Sequence, residues 1–312
     1  MSAVIFPRGI ISVVQTPFSA ANAVDEVSLE RLVESAIARG VNGLVAPVVA
    51  SEVAYLSLPE RKRIISRIAR SAAGRVPFIV GASSDDVEEC AQLSRHGEDV
   101  GATGYLVSVP ASLYADPAAV RRFFSRIART SRLPLLLQDF QWNGPGLSAE
   151  CIVQLRSALP TLRGIKIETL PAGRKYTEVR HALGGDFFIA GGWAVMQMIE
   201  ALDRGVDAMI PESSMVAVYA EIYRAHQHGE RDRARALFEA LLPVLAFANQ
   251  TVATSVAFFK RLLVRRGIFG GEAMRMPGFG WDDFNRRIAD ELIEHYLVLE
   301  SGIDRTSEAK HL

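Results

Sequence analysis

The feature that most constrains this chain is an alternation that repeats along most of its length. A short apolar run, a break, and then roughly 12 to 16 residues with apolar side chains at helical spacing are typical of βαβ units. Most of the apolar runs are continuous, as expected for parallel strands that are buried on both faces. Eight such runs are predicted to be strands, at residues 9–14, 43–48, 78–81, 104–109, 134–138, 164–168, 187–190 and 208–211.

The repetition predicts a (β/α)8 barrel, the TIM barrel, in which helices surround a closed ring of parallel strands. An open doubly wound sheet is the main structural alternative. After residue 228 the pattern becomes purely helical, and no linker rich in proline, glycine or serine precedes this part of the chain. We therefore expect a barrel over residues 1–228 and appended C-terminal helices over residues 229–312 that pack against it.

Charge and composition argue against several classes of function. The 35 basic residues balance the 35 acidic ones, so no net field attracts nucleic acid or an anionic membrane surface. The N-terminus lacks a signal-peptide pattern, and no apolar run approaches the about 18 residues that a membrane-spanning helix needs. We expect a cytoplasmic protein with no nucleic-acid and no membrane partner.

The cysteines and histidines do not predict a metal site. Cys90 and Cys151 fall in separate amphipathic segments and match neither a disulfide framework nor a metal-ligand spacing. The six histidines are scattered, and His226 and His228 lie in a polar stretch that is typical of a loop. We expect two free thiols and no bound metal.

Reactive side chains in a barrel of this type lie at the C-terminal ends of the strands. Lys166 is the most unusual residue by that criterion, because the sixth predicted strand is otherwise apolar. Burial disfavours the charged form of a lysine, and the neutral amine is the form that attacks a carbonyl. Lys166 is therefore the candidate nucleophile. A lysine that faces a solvated loop or forms an ion pair is the alternative, which the periodicity leaves open.

Two further polar residues are candidates for catalysis beside Lys166. Strand alternation places Glu168 on the same face as Lys166, where it could orient the amine or transfer a proton, or simply cap the next helix. Gln138 and Asp139 end the fifth strand. A glutamine does not carry a proton at neutral pH, so Gln138 would position substrate or water, while Asp139 could point away from the site.

Small residues after three other strands are candidate substrate contacts. Ala50 and Ser51 lie in a turn after the second strand, where backbone amides could hold a carboxylate. Gly191 after the seventh strand would let the backbone approach a ligand, although glycine is equally ordinary in a turn. Ser213 follows the eighth strand and is predicted to contact the substrate as well.

Short motifs spread over nearly the whole chain carry a family resemblance, and none of them is specific alone. They are Gln15-Thr16-Pro17-Phe18, Gly43-Leu44-Val45, Ser51-Glu52, Leu56-Ser57, residues 74–81, Leu133-Pro134, Gly164-Ile165-Lys166 and Arg275-Met276-Pro277. Together they resemble the superfamily of dihydrodipicolinate synthase and N-acetylneuraminate lyase. The resemblance implies a TIM barrel with three extra C-terminal helices, a Schiff base on Lys166, no metal or organic cofactor, and a dimer or tetramer. Thr16, in the first motif, is a further candidate for substrate binding.

Departures from the family pattern narrow the expected reaction. Where the family commonly has Gly-Thr-Thr-Gly-Glu, residues 48–52 read Val-Val-Ala-Ser-Glu, so both threonine hydroxyls are missing. Gln138 replaces the tyrosine that relays protons in most members, and Ala111-Ser112 replace a frequent Tyr-Tyr pair. Residues 141–146 also lack the arginine that dihydrodipicolinate synthases use on their aldehyde substrate. A role in lysine biosynthesis is therefore not expected.

The altered positions are similar to one branch, the 2-keto-3-deoxy-L-arabonate dehydratases. The shared motifs are Ser51-Glu52, Gln138-Asp139, residues 166–169, residues 147–149 and residues 184–186. The similarity weakens around residues 190–195 and 211–215, in loops that normally select the substrate. The resemblance implies a lyase that dehydrates a 2-keto-3-deoxy sugar acid through an imine on Lys166.

Three alternatives to a dehydratase remain at this point. A retro-aldolase would act through the same imine and release pyruvate. The missing relay tyrosine could instead indicate a non-catalytic barrel that binds a small molecule. A phosphate-binding barrel isomerase is the third alternative, although the regions of the seventh and eighth strands offer only Gly191-Gly192 and no clear phosphate turn.

Overall fold

The structure, a computed structural model, describes residues 6–141, 144–192, 195–277 and 279–308, with side chains described through residue 303. Eight parallel strands pair in chain order and close into a barrel, because the last strand pairs with the first. The closed ring confirms the (β/α)8 fold class and excludes the open sheet. The strands are β1 Gly9–Val13, β2 Gly43–Ala46, β3 Phe78–Gly81, β4 Gly104–Ser108, β5 Leu135–Asp139, β6 Leu162–Ile167, β7 Phe188–Gly191 and β8 Ala208–Met209.

Helices alternate with the strands and cover the outside of the ring. Their starts carry the predicted capping residues: Ser57 and Glu60 form a reciprocal capping box, and Asp116 and Ser148 accept bonds from first-turn amides. The barrel helices are α1 Glu26–Ala38, α2 Leu58–Ala72, α3 Val87–Asp99, α4 Pro117–Ile127, α5 Ala149–Ala158, α6 Gly173–Leu183, α7 Met198–Asp203 and α8 Val216–Gln227.

Strand alternation separates two apolar layers. Side chains that point inward, such as Ile11, Leu106 and Leu136, form a compact cluster inside the barrel. Their strand neighbours, such as Leu135 and Leu137, point outward and pack against the helices in a larger cluster. Both faces of the strands are therefore buried, which explains why their sequences read as continuous apolar runs.

Three further helices follow the barrel: α9 Arg231–Ala248, α10 Val252–Arg265 and α11 Asp283–Glu308. Helix α9 packs against α7 and α8, and α11 packs against α8 and α9. Helix α10 contacts the short 3₁₀ helix Val49–Ser51 that follows β2, so the turn before α10 lies over the barrel mouth. The domain division at residue 228 stays a prediction.

Among the described residues, no single helix is long and apolar enough to cross a membrane. Helices α9 and α10, bent by 118° at the break between them, satisfy the length and composition criterion only when they are counted together.

A buried ion pair ties the C-terminal helices to the barrel. Lys260 of α10 is fully buried, and its Nζ donates to Glu52 Oε1 at 2.5 Å and to the Ala273 carbonyl at 2.7 Å. The other oxygen of Glu52 accepts the backbone N–H groups of Arg275 and Met276, each at 2.7 Å. Burial lowers the pKa of Lys260, and the nearby Glu52 opposes that shift. Glu52 thus joins the turn after β2, α10 and the segment before α11.

We predict that Lys260→Met strongly destabilises the fold, because it leaves the Glu52 carboxylate buried without its cation. Breaking a buried pair on one side typically costs about 3 to 5 kcal/mol. The measurement is the free energy of unfolding from urea denaturation. Arg265→Met is the matched control, since it removes an exposed cation from Glu294 and should cost no more than about 1 kcal/mol. Equal losses in the two variants would contradict the anchoring role of Glu52.

Candidate active site

Three polar side chains from adjacent strands lie in one row across the barrel. Ser108 of β4 pairs in register with Gln138 of β5, and Gln138 pairs with Lys166 of β6. The row continues to Ala190 of β7. Leu136 and Ala190 belong to the interior cluster, and Gln138 lies two residues after Leu136, so alternation turns the row toward the barrel interior. The register therefore brings together residues that are far apart in the sequence.

Lys166 is paired with a carboxylate at the end of its own strand. It is only 4% exposed, and its Nζ lies 2.8 Å from Oε1 of Glu168, which stands one residue past β6. The ion pair that the sequence left as an alternative is thus present, and the amine also lines a cavity. A carboxylate at hydrogen-bond distance from a buried amine can take up its proton, which is what a lysine nucleophile requires.

Gln138 and Ser108 hold this carboxylate in place. Gln138 Nε2 donates to Oε2 of Glu168, and Ser108 Oγ donates to Gln138 Oε1 at 2.5 Å. Because the hydroxyl occupies the amide carbonyl, the amide nitrogen is the end of Gln138 that faces Glu168. The backbone N–H of Ser108 in turn donates to Ser83 Oγ at 2.9 Å. A chain of hydrogen bonds across three strands therefore orients the carboxylate that is paired with Lys166.

A cavity opens at the C-terminal ends of the strands, and Lys166 is among its lining residues. Among its described lining residues Lys166 is the only cation, and Glu168 and Glu212 are the two acids. Much of the remaining wall is apolar, formed by Val13, Val48, Phe140, Ile210, Val256 and Phe259. A concave apolar wall with a few convergent polar groups is typical of a small-molecule site.

Two other lysines are buried, and their contacts distinguish them from Lys166. Lys175 donates to Asp139 Oδ2 at 2.6 Å and to the Pro145 carbonyl at 2.5 Å. Lys260 is held in the same way by a carboxylate and a carbonyl, as described above. Neither lines the cavity. Of the buried lysines in the described chain, Lys166 is thus the one that a ligand in this cavity would reach.

Asp139 points away from the cavity, the orientation that the sequence left open. Its carboxylate accepts from Lys175 and from the backbone N–H of Leu147 at 3.1 and 3.2 Å. Burial raises the pKa of Asp139, and Lys175 opposes this shift. The residue holds the chain after β5 against α6 and leaves the inward-facing Gln138 as the polar end of β5.

The turn after β2 presents backbone to the cavity. Ala50 lines the cavity together with Val49. The first bond of the 3₁₀ helix runs from the N–H of Ser51 to the carbonyl of Val48 at 2.8 Å. The N–H groups of Val49 and Ala50 precede that bond and have no acceptor within the helix. They are the groups of this turn that can receive an anion.

Ser51 and Thr16, whose hydroxyls were predicted to contact the substrate, donate hydrogen bonds to backbone carbonyls. Ser51 Oγ donates to the Val14 carbonyl at 2.6 Å, and Thr16 Oγ1 donates to the Ser51 carbonyl at 2.8 Å. Both side chains are buried, and neither lines the cavity. They hold the turn against β1, and direct substrate contact by Thr16 or Ser51 stays a prediction.

Gly191 and Ser213 have comparable packing roles. A Cβ at Gly191 would lie 2.7 Å from Met209 Sδ and 2.9 Å from Tyr176 Oη, so the missing side chain permits close packing outside the strands. Ser213 Oγ donates to the Val13 carbonyl at 2.7 Å and lies 2.7 Å from Ser12 Oγ. Neither residue lines the cavity, and their substrate contacts stay predictions.

The structure adds Glu212 to the cavity, a residue that sequence reasoning did not assign to the site. Glu212 follows β8, is 4% exposed, and accepts from Gln15 Nε2 at 2.8 Å and from the N–H of Met215 at 3.2 Å. Burial raises the pKa of Glu212, and bonds from Ser214 and Gln15 oppose the shift. The sequence signal that could have assigned Glu212 to the site was its position just after a barrel strand.

Asn249, Thr251 and Ser255 are the other polar residues that the sequence did not indicate. Asn249 and Thr251 come from the turn between α9 and α10, Ser255 comes from the first turn of α10, and all three line the cavity. The expectation that functional residues lie at the C-terminal ends of the strands does not indicate them, because they follow the eighth βα unit. Their position depends on how the C-terminal helices fold back over the barrel.

Two sequence expectations fall partly outside the described residues. Trp142 and Asn143, in the stretch without the family arginine, and Trp193 and Ala194, in the loop after β7, are not described. Within the part of the chain that is described, no group of three or more His, Cys, Asp or Glu side chains is arranged to hold a metal ion.

The sequence is similar to those of two characterised kinds of enzyme over most of its length. The chain is 28% identical over 302 residues to the 4-hydroxy-tetrahydrodipicolinate synthase of Bartonella tribocorum, covering 94% of this chain and 99% of that protein. It is also 28% identical over 276 residues to the L-2-keto-3-deoxyarabonate dehydratase of Azospirillum brasilense, covering 86% and 88% of the two chains.

Solved structures share the same fold. The crystal structure of dihydrodipicolinate synthase from Rhodopseudomonas palustris superimposes with a TM-score of 0.86 at 23% identity, covering 93% of this chain and 98% of that one. Residues 6–295 match the dihydrodipicolinate synthetase family. The match covers nearly the whole chain and includes the barrel with Lys166, helices α9 and α10, and the first part of α11. The protein therefore belongs to the dihydrodipicolinate synthetase family, whose members are lyases and aldolases that act through a lysine Schiff base.

Proposed function

We propose that this enzyme dehydrates a 2-keto-3-deoxy sugar acid, with 2-keto-3-deoxy-L-arabonate or a similar acid as substrate. The observation that carries the proposal is the Lys166 amine in the cavity, 2.8 Å from Glu168, whose other oxygen accepts from Gln138. The relative from Azospirillum brasilense named as a dehydratase supports the choice of reaction. The motifs at Ser51-Glu52, Gln138-Asp139 and residues 166–169 support the same branch.

In the proposed first step, Glu168 takes a proton from Lys166, and the free amine attacks the C2 carbonyl of the substrate. The carbinolamine that forms loses its hydroxyl as water when Glu168 returns the proton. The product of this step is a protonated imine between Nζ and C2. Because Glu168 is already within hydrogen-bond distance of Nζ, no rearrangement of the described residues is required.

In the second step the protonated imine acts as an electron sink. Glu168 removes a proton from C3 to give an enamine, and the C4 hydroxyl then leaves as water with the proton that Glu168 carries. Gln138 has no proton to transfer at neutral pH, so it serves to hold the Glu168 carboxylate. Hydrolysis of the remaining imine restores the Lys166 amine and releases an unsaturated 2-oxo acid. With a five-carbon substrate, this acid tautomerises to the semialdehyde as a proton leaves C5 and another is added at C3.

The substrate carboxylate is assigned to the turn after β2. Val49 and Ala50 line the cavity, and their N–H groups precede the first hydrogen bond of the 3₁₀ helix. Backbone N–H groups at such a helix start bind anions without a charged side chain. Ala50 is the predicted substrate-binding residue that the cavity includes, and it would contribute backbone rather than side chain.

The oligomeric state, the cellular location and the lack of a cofactor are proposed from the family. Family members are typically homo-oligomers that act on small molecules and need no metal. We propose the same for this chain: a cytoplasmic homodimer or homotetramer, with the covalent imine in place of a cofactor. Retro-aldol cleavage would break the C3–C4 bond of the same imine, and the described geometry serves either bond cleavage.

We predict that borohydride reduction in the presence of a 2-oxo acid labels Lys166. The free amine and the bound carbonyl form an imine that borohydride converts into a stable secondary amine. Peptide mass mapping identifies the labelled residue, and Lys166→Ala should abolish both the adduct and turnover. A label on Lys175 or Lys260, or no label with any of a series of 2-oxo acids, would contradict the proposed chemistry and favour a binding protein.

Product analysis distinguishes the two reactions. We expect incubation with 2-keto-3-deoxypentonates to yield a semialdehyde, and incubation with 2-keto-3-deoxyhexonates to yield a 2,5-dioxo acid, in both cases without release of pyruvate. Separate enzymatic assays for semialdehyde and for pyruvate measure the two outcomes. Release of pyruvate in amounts equal to substrate consumed would identify an aldolase instead.

A further prediction concerns Ser108, which acts through Gln138 and does not line the cavity. Ser108→Ala removes the donor that orients the Gln138 amide, so Glu168 loses a fixed hydrogen-bond partner. We expect kcat to fall about fivefold to tenfold, as for loss of one hydrogen bond of about 1 to 1.4 kcal/mol. KM and the fraction of Lys166 trapped by borohydride should change little.

The conservative variant Ser108→Thr keeps the hydroxyl and should restore kcat. Thr103→Ala is the control, because Thr103 precedes the same strand at its other end and its hydroxyl donates to the Phe78 carbonyl. Parallel losses of turnover and trapping in Ser108→Ala, or failure of threonine to restore kcat, would show that Ser108 acts only through stability.

A further inference from the structure

The cavity is lined by more polar groups than the reacting end of the substrate uses. In the proposed function, Lys166, Glu168 and the amides of Val49 and Ala50 hold the first three carbons of the 2-oxo acid. The same cavity extends to Glu212, to the turn between α9 and α10, and to the first turn of α10. We call the part bounded by Glu212, Asn249 and Ser255 the distal subsite. Carbon atoms beyond C3 would lie there.

Polar atoms in the distal subsite have weak partners in the described structure. Asn249 Nδ2 donates to Met196 Sδ at 3.4 Å, a long contact to a poor acceptor. Ser255 Oγ donates to Asn249 Oδ1 at 3.4 Å, near the upper limit for a hydrogen bond. Such groups can exchange these contacts for shorter bonds to a ligand at little cost. Their chemistry, an amide and a hydroxyl, suits alcohol groups that both donate and accept.

The charge of the distal subsite limits what can bind. Glu212 is 4% exposed, its described hydrogen-bond donors are neutral groups, and it lines the same cavity. Among the described lining residues, the one cation is Lys166, which the imine and Glu168 occupy. A second carboxylate on the ligand would therefore lie near a buried acid with no cation to compensate it. An uncharged alcohol can instead donate a hydrogen bond to Glu212.

We propose that the distal subsite selects substrates whose tail is uncharged and carries hydroxyl groups, and that Asn249 and Ser255 are specificity-determining residues. The inference rests on the proposed Schiff-base function and adds the chemical class of the tail. The C-terminal helices thus take part in substrate recognition. They place an amide and a hydroxyl in the wall of the cavity that contains Lys166.

The test compares three 2-oxo acids that share a reacting head and differ in tail. Pyruvate has no tail, 2-oxoglutarate has a carboxylate tail, and a 2-keto-3-deoxypentonate has a hydroxylated tail. Labelling of Lys166 by borohydride is measured by mass spectrometry as a function of ligand concentration. We expect half-maximal labelling at the lowest concentration with the pentonate and at the highest with 2-oxoglutarate.

Variants then assign the discrimination to named residues. Asn249→Ala and Ser255→Ala should each raise the half-maximal concentration for the pentonate about tenfold, the loss expected for one good hydrogen bond. The value for pyruvate should not change, because pyruvate does not reach these residues. Gln250→Ala is the matched control: this exposed residue lies in the same turn and does not line the cavity. Glu212→Gln should lower the half-maximal concentration for 2-oxoglutarate.

The outcomes separate this inference from the proposed function. Labelling of Lys166 with an unchanged ratio of pentonate to pyruvate in Asn249→Ala and Ser255→Ala would overturn the distal subsite and leave the Schiff base standing. Equal labelling by 2-oxoglutarate and the pentonate in the unmodified enzyme would also overturn it. Absence of Lys166 labelling with all three acids would overturn both the proposed function and the subsite that rests on it.

Discussion

The active site of this enzyme depends on a lysine amine being kept inside an apolar ring of strands. An isolated ammonium group there would carry a large desolvation cost, and the ion pair with Glu168 at 2.8 Å compensates it. The same pairing gives the amine a neighbour that can accept its proton. One contact therefore stabilises the buried amine and, in the proposed mechanism, prepares it to attack the substrate. Gln138 and Ser108 extend this contact across two more strands, so the carboxylate has a defined orientation before any ligand binds.

A second buried pair completes the site from outside the barrel. Glu52 and Lys260 are almost fully buried and connect the turn after β2 to α10. This turn carries the amides of Val49 and Ala50, and α10 carries Ser255. The Glu52 contact thus fixes two walls of the cavity relative to each other. Helix α10 forms part of the site because the ion pair between Lys260 and Glu52 holds it against the turn after β2.

Sequence reasoning recovered the elements better than the contacts. The βαβ repeat, the capping residues Ser57, Asp116 and Ser148, and Lys166 were all predicted from local pattern. The hydroxyls of Thr16, Ser51 and Ser213 were predicted as substrate contacts, but each donates to a backbone carbonyl in the structure. A hydroxyl near a strand end can serve either purpose, and local pattern does not reveal which acceptor is nearest.

The sequence by itself determined the barrel, the position of the candidate nucleophile and the family, because these depend on periodicity and on short motifs along the chain. Tertiary structure decided which polar groups meet. The register between β4, β5 and β6 aligns Ser108, Gln138 and Lys166, and the return of α10 over the barrel mouth brings Asn249 and Ser255 to the same cavity as Glu212. These contacts join residues from distant parts of the chain, and only the closed ring with its packed helices sets the distances between them.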